Sequence, residues 1–407
     1  MLVLAAVLAV LFLSSRGEEP RPPATHPKPA PIVLDRPASG PSLAVGITEA
    51  NPNLIADIPP PDPAPWPHWR AEMARLNPVV YRIFVPWNEV QPRADVPPNL
   101  ALPDNGCVRD KGPCASFAGL RDQLRALAAR SWQGMIVLAG LPDWAVAHVP
   151  GCRRGASPVA GFPREDALPA YRTLIADVLA LAHDEGADVR YVSPYNEPNH
   201  PYSLAPQRTR CDPSAPSLAA RGYAPLARAA REALADAPGD QELVLGETAG
   251  FREPTARATG VPEMIRELPR SVVCSARVWS QHAYIGGTDP VAVVEKALDA
   301  RGCPRRYAIW ITETGVGPAP GGLSLARGIT SQAQGCRLLH QRLLQWYRDP
   351  RVTLAVQYEF REDNLFPTGL VTTDLTRTRP ALAEWQAWGG DRKPDAPPPK
   401  STCSNGG

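Results

Sequence analysis

A single-domain (β/α)8 barrel, a TIM-type α/β fold, is the fold class this sequence predicts. Three observations point there: eight short apolar or β-branched runs, a longer amphipathic segment behind each, and strict alternation between the two kinds. Alternation argues for a parallel sheet, because parallel strands need a crossover and crossovers are usually helical. A doubly wound open sheet is the competing architecture. It would normally carry a Gly-rich phosphate turn after its first strand, and Gly46-Ile47-Thr48-Glu49 is not one.

The first strand is expected over Leu43–Thr48 and its helix over Trp66–Leu76. Val79–Val85 is the second strand, and Phe117–Ala129 then repeats apolar residues at helical spacing. Gln133–Ala139 and the helix Leu168–His183 form the third unit, and Val189–Tyr195 with Leu218–Ala235 the fourth. The fifth strand, Glu242–Gly246, is shorter and precedes the helix Pro262–Leu268. Arg277–Ala283 with Val291–Ala300, Tyr307–Thr312 with Ser331–Tyr347, and Val352–Tyr358 with Pro380–Trp388 complete the eight.

The chain has 407 residues, and a barrel commonly needs about 250 plus insertions, so residues 43–390 can hold one such domain. Residues 19–42 and 391–407 are rich in Pro and polar residues and read as a linker and a polar tail. Residues 1–18 begin with an apolar run from Met1 to Leu13, shorter than the ~20 residues that span a bilayer. That length suits an export signal, although the run has no basic residue before it and no Ala-x-Ala site after it, so a membrane anchor is the alternative. Secretion or display at the cell surface is expected either way.

Eight cysteines agree with export, since an even number in an oxidising compartment usually means disulfides. Metal-ligand spacing such as Cys-x-x-Cys does not occur. Cys107 and Cys114 share a loop. Cys274 and Cys303 each precede a predicted strand, and Cys152 and Cys211 each follow one, which places each pair on one end of a barrel. Cys274 is expected to pair with Cys303, with Cα atoms within about 7 Å. Cys336 with Cys403 remains, tying the tail to a helix. The formal charge is only +2, which gives no reason to expect nucleic acid or a polyanion; a neutral ligand fits that balance better.

Chemistry in such a barrel sits at the C-terminal strand ends. The fourth strand runs into Asn196-Glu197-Pro198 and the seventh into Thr312-Glu313-Thr314. Two carboxyl groups facing each other across a barrel mouth are the apparatus of glycoside hydrolysis, one protonating the leaving oxygen and one attacking the anomeric carbon. A separation of about 5 to 5.5 Å implies retention, and about 6.5 to 9.5 Å implies inversion. The alternative for either glutamate is a loop carboxylate in a salt bridge.

Asn196-Glu197-Pro198 with Thr312-Glu313-Thr314-Gly315 resembles the clan of retaining (β/α)8 glycoside hydrolases called the 4/7 superfamily. The resemblance implies that Glu197 is the acid/base, Glu313 the nucleophile, and Asn196 a contact to the sugar 2-hydroxyl. Arg82 matches the clan's arginine beside the nucleophile, and His282 with Tyr284 its His-x-Tyr, whose hydroxyl touches the nucleophile. Trp87 through Gln91-Pro92 resembles the motif after strand two, and Pro142-Asp143-Trp144 the Pro-x-Trp of the β-xylosidase-like and exopolysaccharide-hydrolase-like members. Tyr358 through Asp363, Phe366, Gly369-Leu370 and Arg379 to Leu382 resemble the strand-eight region of that subgroup. Many members carry a Trp at the end of strand eight, where this chain offers Tyr358 or Phe360.

Residue chemistry agrees with those roles. Arg82 would set positive charge beside Glu313, and the nearby anion would then raise the Glu197 pKa and make it the proton donor. Trp87, Trp144, Tyr195 and Tyr284 offer faces for sugar stacking, with core packing as the bland reading of each. Glu247 ends strand five as a sugar contact or as a structural ion pair; Asn199 and His200 line the cleft or cap a loop. The expected activity is therefore double-displacement cleavage of O-glycosidic bonds in an extracellular oligo- or polysaccharide, with no cofactor, no metal and no nucleic-acid partner. A non-catalytic carbohydrate-binding barrel and a transglycosylase with the same two glutamates are the rival readings.

Overall fold

A computed structural model describes residues 33–56, 66–100, 119–287, 289–317, 329–362 and 367–403. The leader, most of the Pro-rich segment, the Cys107/Cys114 loop, Asp363 and Phe366 lie outside the described residues. Eight parallel strands close into a barrel: β1 (Ala44–Thr48), β2 (Val80–Pro86), β3 (Gln133–Ala139), β6 (Asp188–Ser193), β7 (Glu242–Thr248), β8 (Val278–His282), β9 (Ala308–Thr314) and β10 (Val352–Tyr358). Each pairs with its neighbours in that sequence, and β1 closes the ring on β10. A two-stranded hairpin, β4 (Val146–Ala147) and β5 (Phe162–Pro163), is inserted after β3.

The helices follow the predicted order: α1 (Trp66–Ala74), α3 (Leu120–Arg130), α4 (Leu168–Asp184), α5 (Ala219–Asp236), α6 (Val261–Glu267), α8 (Val291–Asp299), α9 (Gln332–Arg348) and α10 (Pro380–Trp388). Local chemistry fixes several starts. Proline stands in the first turn of α4, α6 and α10, where its missing N–H costs nothing, and the Ser331 hydroxyl accepts from Gln334 N at the start of α9. Two one-turn helices, α2 (Trp87–Val90) and α7 (Arg270–Val273), are too short to leave a periodic signal.

Side chains that point into the barrel, among them Val80, Met135, Tyr191, Val244, Val278, Trp310 and Leu354, form their own buried cluster. Those that point out pack against the helices. Residues 33–42 do not behave as a linker. Leu34 is buried in the inner cluster, its carbonyl accepts from Trp310 Nε1 and Thr353 Oγ1, and Asp35 binds Arg277. The apolar Leu34 therefore closes the N-terminal end of the barrel. The tail is held too: Leu43 N donates to Pro394 O, Arg392 lies over Tyr347 and Trp388, and Cys403 is bonded to Cys336. Cys274–Cys303 has a Cα separation of 5.2 Å, inside the expected limit, and Cys152–Cys211 also forms.

Candidate active site

The mouth is formed by the C-terminal strand ends, and backbone geometry aims the acidic groups there. Glu197 and Glu247 have φ of +46° and +49°, values that non-glycine residues rarely adopt. They are held in this conformation by each other and by Ser280: Glu197 N donates to Glu247 O at 2.8 Å, and Glu247 N donates to Ser280 Oγ at 2.7 Å. Backbone held off its preferred regions by surrounding bonds is a recurrent mark of functional sites.

Arg82, fully buried on β2, links the acidic groups. Its Nη2 lies 2.8 Å from Asn196 Oδ1, 2.5 Å from Glu247 Oε2 and 3.0 Å from Glu313 Oε1. Tyr284 Oη donates to Glu313 Oε2 at 2.8 Å. His282 stands at the centre, with Nδ1 2.9 Å from Glu197 and 3.3 Å from Glu313, and Nε2 3.4 Å from Glu247. One carboxylate oxygen each from Glu197 and Glu313 and one ring nitrogen of His282 lie within 4.8 Å of one another. Three such donors could in principle hold a cation, but Arg82 already places fixed positive charge 3.0 Å from Glu313.

Burial costs the His282 cation, yet the Glu313 charge and the hydrogen bonds to Glu197 and Glu247 outweigh it and raise the pKa to about 10. Burial acts to raise Glu197, but the His282 hydrogen bond and charge, then His200 and Arg82, prevail and lower it. The expected upward push on Glu197 is therefore not met in the free site, because an imidazolium stands against it. Burial also opposes ionisation of Glu247, and Arg82 with His282 overrides it, bringing the pKa to about 2. Glu247 is fully buried in this ion pair, which is its structural reading.

The sequence-predicted residues separate into two groups. Arg82, Asn196, Glu197, His282, Tyr284 and Glu313 are brought together. Trp87 is not in the site: it is 1% exposed, packs against Trp144 and Tyr171, and donates to Gln91 Oε1. The turn that carries Trp87 is docked by Asn88 N to the carbonyl of Gly140, which has φ of +60° and whose Cβ would meet Asn88 Oδ1 at 1.9 Å. Trp144 is half-buried, with Nε1 donating to Gln91 O. Tyr195 is buried in the outer core. Tyr358 is buried in the inner cluster, edge-on to Phe84 and Tyr284.

Two features escaped sequence reasoning, and a third, His200, was expected to line the cleft or cap a loop. The Phe84 ring lies 4.3 Å from the Arg82 guanidinium carbon; two residues along a strand share a face, so the spacing was the signal. Glu49, just past β1, accepts from Asn51 N and Arg361 N and fixes the β10 loop, which the strand-end rule could have flagged. His200, whose ring stacks on Phe251 at 5.7 Å, has its pKa lowered by burial; Glu197 opposes that shift and Arg257 adds to it.

No family model matches the chain, and no curated protein sequence matches it. Solved structures do. A family 39 glycoside hydrolase from Bacteroides cellulosilyticus WH2 aligns with a TM-score of 0.53 at 15% identity, covering 89% of this chain and 65% of that one. A conserved exported protein from Bacteroides fragilis aligns at 0.56 and 13%, covering 88% and 80%. A family 30 endoxylanase from Clostridium papyrosolvens C71 aligns at 0.53 and 9%, covering 89% and 75%. This chain thus spans just under two thirds of the family 39 enzyme, and what it shares with all three is the (β/α)8 barrel fold.

Proposed function

We propose that this protein is a retaining glycoside hydrolase that cleaves O-glycosidic bonds of an exported or extracellular oligo- or polysaccharide. The observation that carries the reading is the approach of Glu197 and Glu313 carboxylate oxygens to within 4.8 Å at the ends of the fourth and seventh barrel strands. That gap fits a nucleophile and an acid/base on opposite sides of one anomeric carbon, and it favours the shorter separation of a retaining pair over the longer one of an inverting pair. The glycoside hydrolase folds among the structural neighbours support the same reading.

Glu313 attacks the anomeric carbon, oriented by Arg82 Nη2 at 3.0 Å and Tyr284 Oη at 2.8 Å. The glycosidic bond breaks as the ester to Glu313 forms, and the leaving oxygen takes a proton from Glu197. In the free site that proton rests on the His282 side of the 2.9 Å hydrogen bond; its transfer to Glu197 leaves neutral imidazole and a carboxylic acid. Glu197 then takes a proton from water, which attacks the anomeric carbon as its bond to Glu313 breaks, and the sugar leaves with retained configuration. Asn196, whose Oδ1 is taken by Arg82, offers its amide nitrogen to the sugar 2-hydroxyl. Three disulfides support an extracytoplasmic location.

Glu313→Ala should abolish turnover of an activated aryl glycoside. In Glu197→Ala, added azide should restore turnover and yield a glycosyl azide with the anomeric configuration of the substrate. An azide product of inverted configuration, or unchanged activity in Glu313→Ala, would overturn the assignment.

A further inference from the structure

The strands β3, β6 and β7 are consecutive in the barrel, so the loops that follow them lie side by side on the rim. Covalent and polar contacts weld these loops into one block. Cys152 is bonded to Cys211, and Cys152 N donates to Arg208 O. Buried Arg208 donates to Thr255 O and pairs with Glu263, while Asn199 Nδ2 donates to Ala249 O and Thr259 O. A Cβ on Gly155 would meet Arg257 Nη1 at 2.9 Å, so the Arg257 side chain crosses from the third loop to the first. The block begins at Glu197 itself, through His200 N donating to Glu197 O.

Five exposed arginines stand on it: Arg153 and Arg154, Arg210, Arg252 and Arg257. In the segments that carry them, 148–161, 199–217 and 249–260, the carboxylates are Asp212 and Glu253, and Asp212 is engaged by Ser214 N and Oγ; Asp143 and Glu165 stand in the β3 loop outside these segments. Among the described residues none of the five is in an ion pair. Across those three segments the exposed arginines exceed the carboxylates by three, although the whole chain carries an excess of only +2. The near-neutral total therefore conceals a basic rim, and the expectation of a neutral ligand, drawn from that total, does not carry over to it. Exposed unpaired guanidiniums are planar donors suited to carboxylate groups. Tyr202, 63% exposed, adds an aromatic face beside them on which a sugar ring can stack.

We propose that this rim binds the carboxylate groups of a uronate-bearing, anionic polysaccharide on the leaving-group side of the cleft. The inference rests on the hydrolase reading for its orientation: the acid/base protonates the leaving oxygen, so the departing part of the substrate lies beside Glu197 and the loops attached to it. Continuity with the paired glutamates favours polysaccharide over nucleic acid, the other polyanion a basic surface could take.

The test is binding by the full chain, read by affinity electrophoresis without turnover. The probes are polygalacturonate, the same polymer with its carboxyl groups reduced to alcohols, and a short DNA duplex. Polygalacturonate should bind at least ~10-fold more tightly than the reduced polymer, lose that advantage as salt rises from about 0.05 M to about 0.5 M, and weaken ~10-fold with Arg154→Gln, Arg210→Gln and Arg257→Gln combined. Equal binding of the two polymers, binding of neither, an unaltered triple variant, or tighter binding of DNA would each overturn the proposal. A chain that binds polygalacturonate but cleaves no glycoside fails the hydrolase reading alone. One that cleaves a neutral glycoside and ignores polygalacturonate fails this inference alone.

Discussion

Both ends of the barrel bury an arginine among carboxylates, yet only one end has the makings of a catalyst. At the closed end Arg351 on the β10 side is 1% exposed, donates to Tyr307 O, and binds Asp299 at 3.0 Å and Glu295 at 3.4 Å. Its partners sit on α8, and Asp299 is 54% exposed. At the mouth Arg82 binds Glu247, fully buried, and Glu313, whose side chain is 6% exposed. The cleft beside Arg351 is lined by Glu295, Arg306, Gln345, Arg348 and Asp349, and its two carboxylates sit on α8 and just after α9, neither at the end of a strand. A buried arginine is thus no sign of function by itself. What separates the two is whether its carboxylates end strands and share a second set of donors, as Glu247 and Glu313 share His282.

The largest effect expected from this contrast is on Arg82. Arg82→Met leaves two enclosed carboxylates without their cation and should cost about 3–5 kcal/mol of stability, with turnover of the folded protein down by on the order of 10²–10³. Arg351→Met releases carboxylates that water can reach, so about 1–3 kcal/mol should be lost with turnover unchanged. Urea unfolding and kcat on one aryl glycoside measure both. A fall in kcat for Arg351→Met equal to that for Arg82→Met would erase the distinction between the ends.

The disulfides sample the same two ends. Cys152–Cys211 spans 59 residues and joins loops of the mouth; Cys274–Cys303 spans 29 and lies before β8 and β9 at the closed end. Removing either by serine substitution of both cysteines should cost roughly 3–4 kcal/mol through chain entropy, with the longer loop about 0.6 kcal/mol more. Only loss of the mouth bridge should raise KM for a polymeric substrate, because of the two bridges it is the one that joins rim loops. If the closed-end pair changes KM as much, the mouth loops are not positioned by their own bridge.

Most of the barrel was legible because each unit carries its own period: β3, β10 and α10 have the bounds expected for them, and other strands shift by a residue or two. Glu197 and Glu313 could be found for the same reason, since a strand end is readable and a carboxylate there is conspicuous. Burial was less readable. Trp87 and Trp144 lie in similar strand-end motifs, and only three-dimensional packing sets Trp87 in the core and leaves Trp144 half-exposed. Leu34 lay in a Pro-rich stretch that reads as linker, and nothing local signals that the barrel floor is where it packs. The direction of the Glu197 pKa shift was misjudged because His282 was known only as part of a His-x-Tyr pattern, and its 2.9 Å contact with Glu197 depends on how the strand ends converge.

The last expected effect concerns the pH response of the two ends, and it isolates His282. Its pKa is raised from the ordinary histidine value of 6.5 to about 10, while the Arg351 network contains no histidine. A raised folded-state pKa means that the folded protein holds a proton the unfolded chain releases. The stabilisation is therefore complete below pH 6.5, declines as pH rises above it, and is gone once pH passes through about 10. One proton sets a ceiling of about 1.4 kcal/mol per pH unit on that decline. Urea midpoints measured at intervals between neutrality and the folded-state value should fall steadily for the parent protein. In His282→Gln the fall should flatten, whereas Arg351→Met, though less stable throughout, should keep the parent slope. A parent curve already flat over this window would mean that His282 is neutral among its three carboxylates, and the proton for the leaving group would then have to reside on Glu197 from the start.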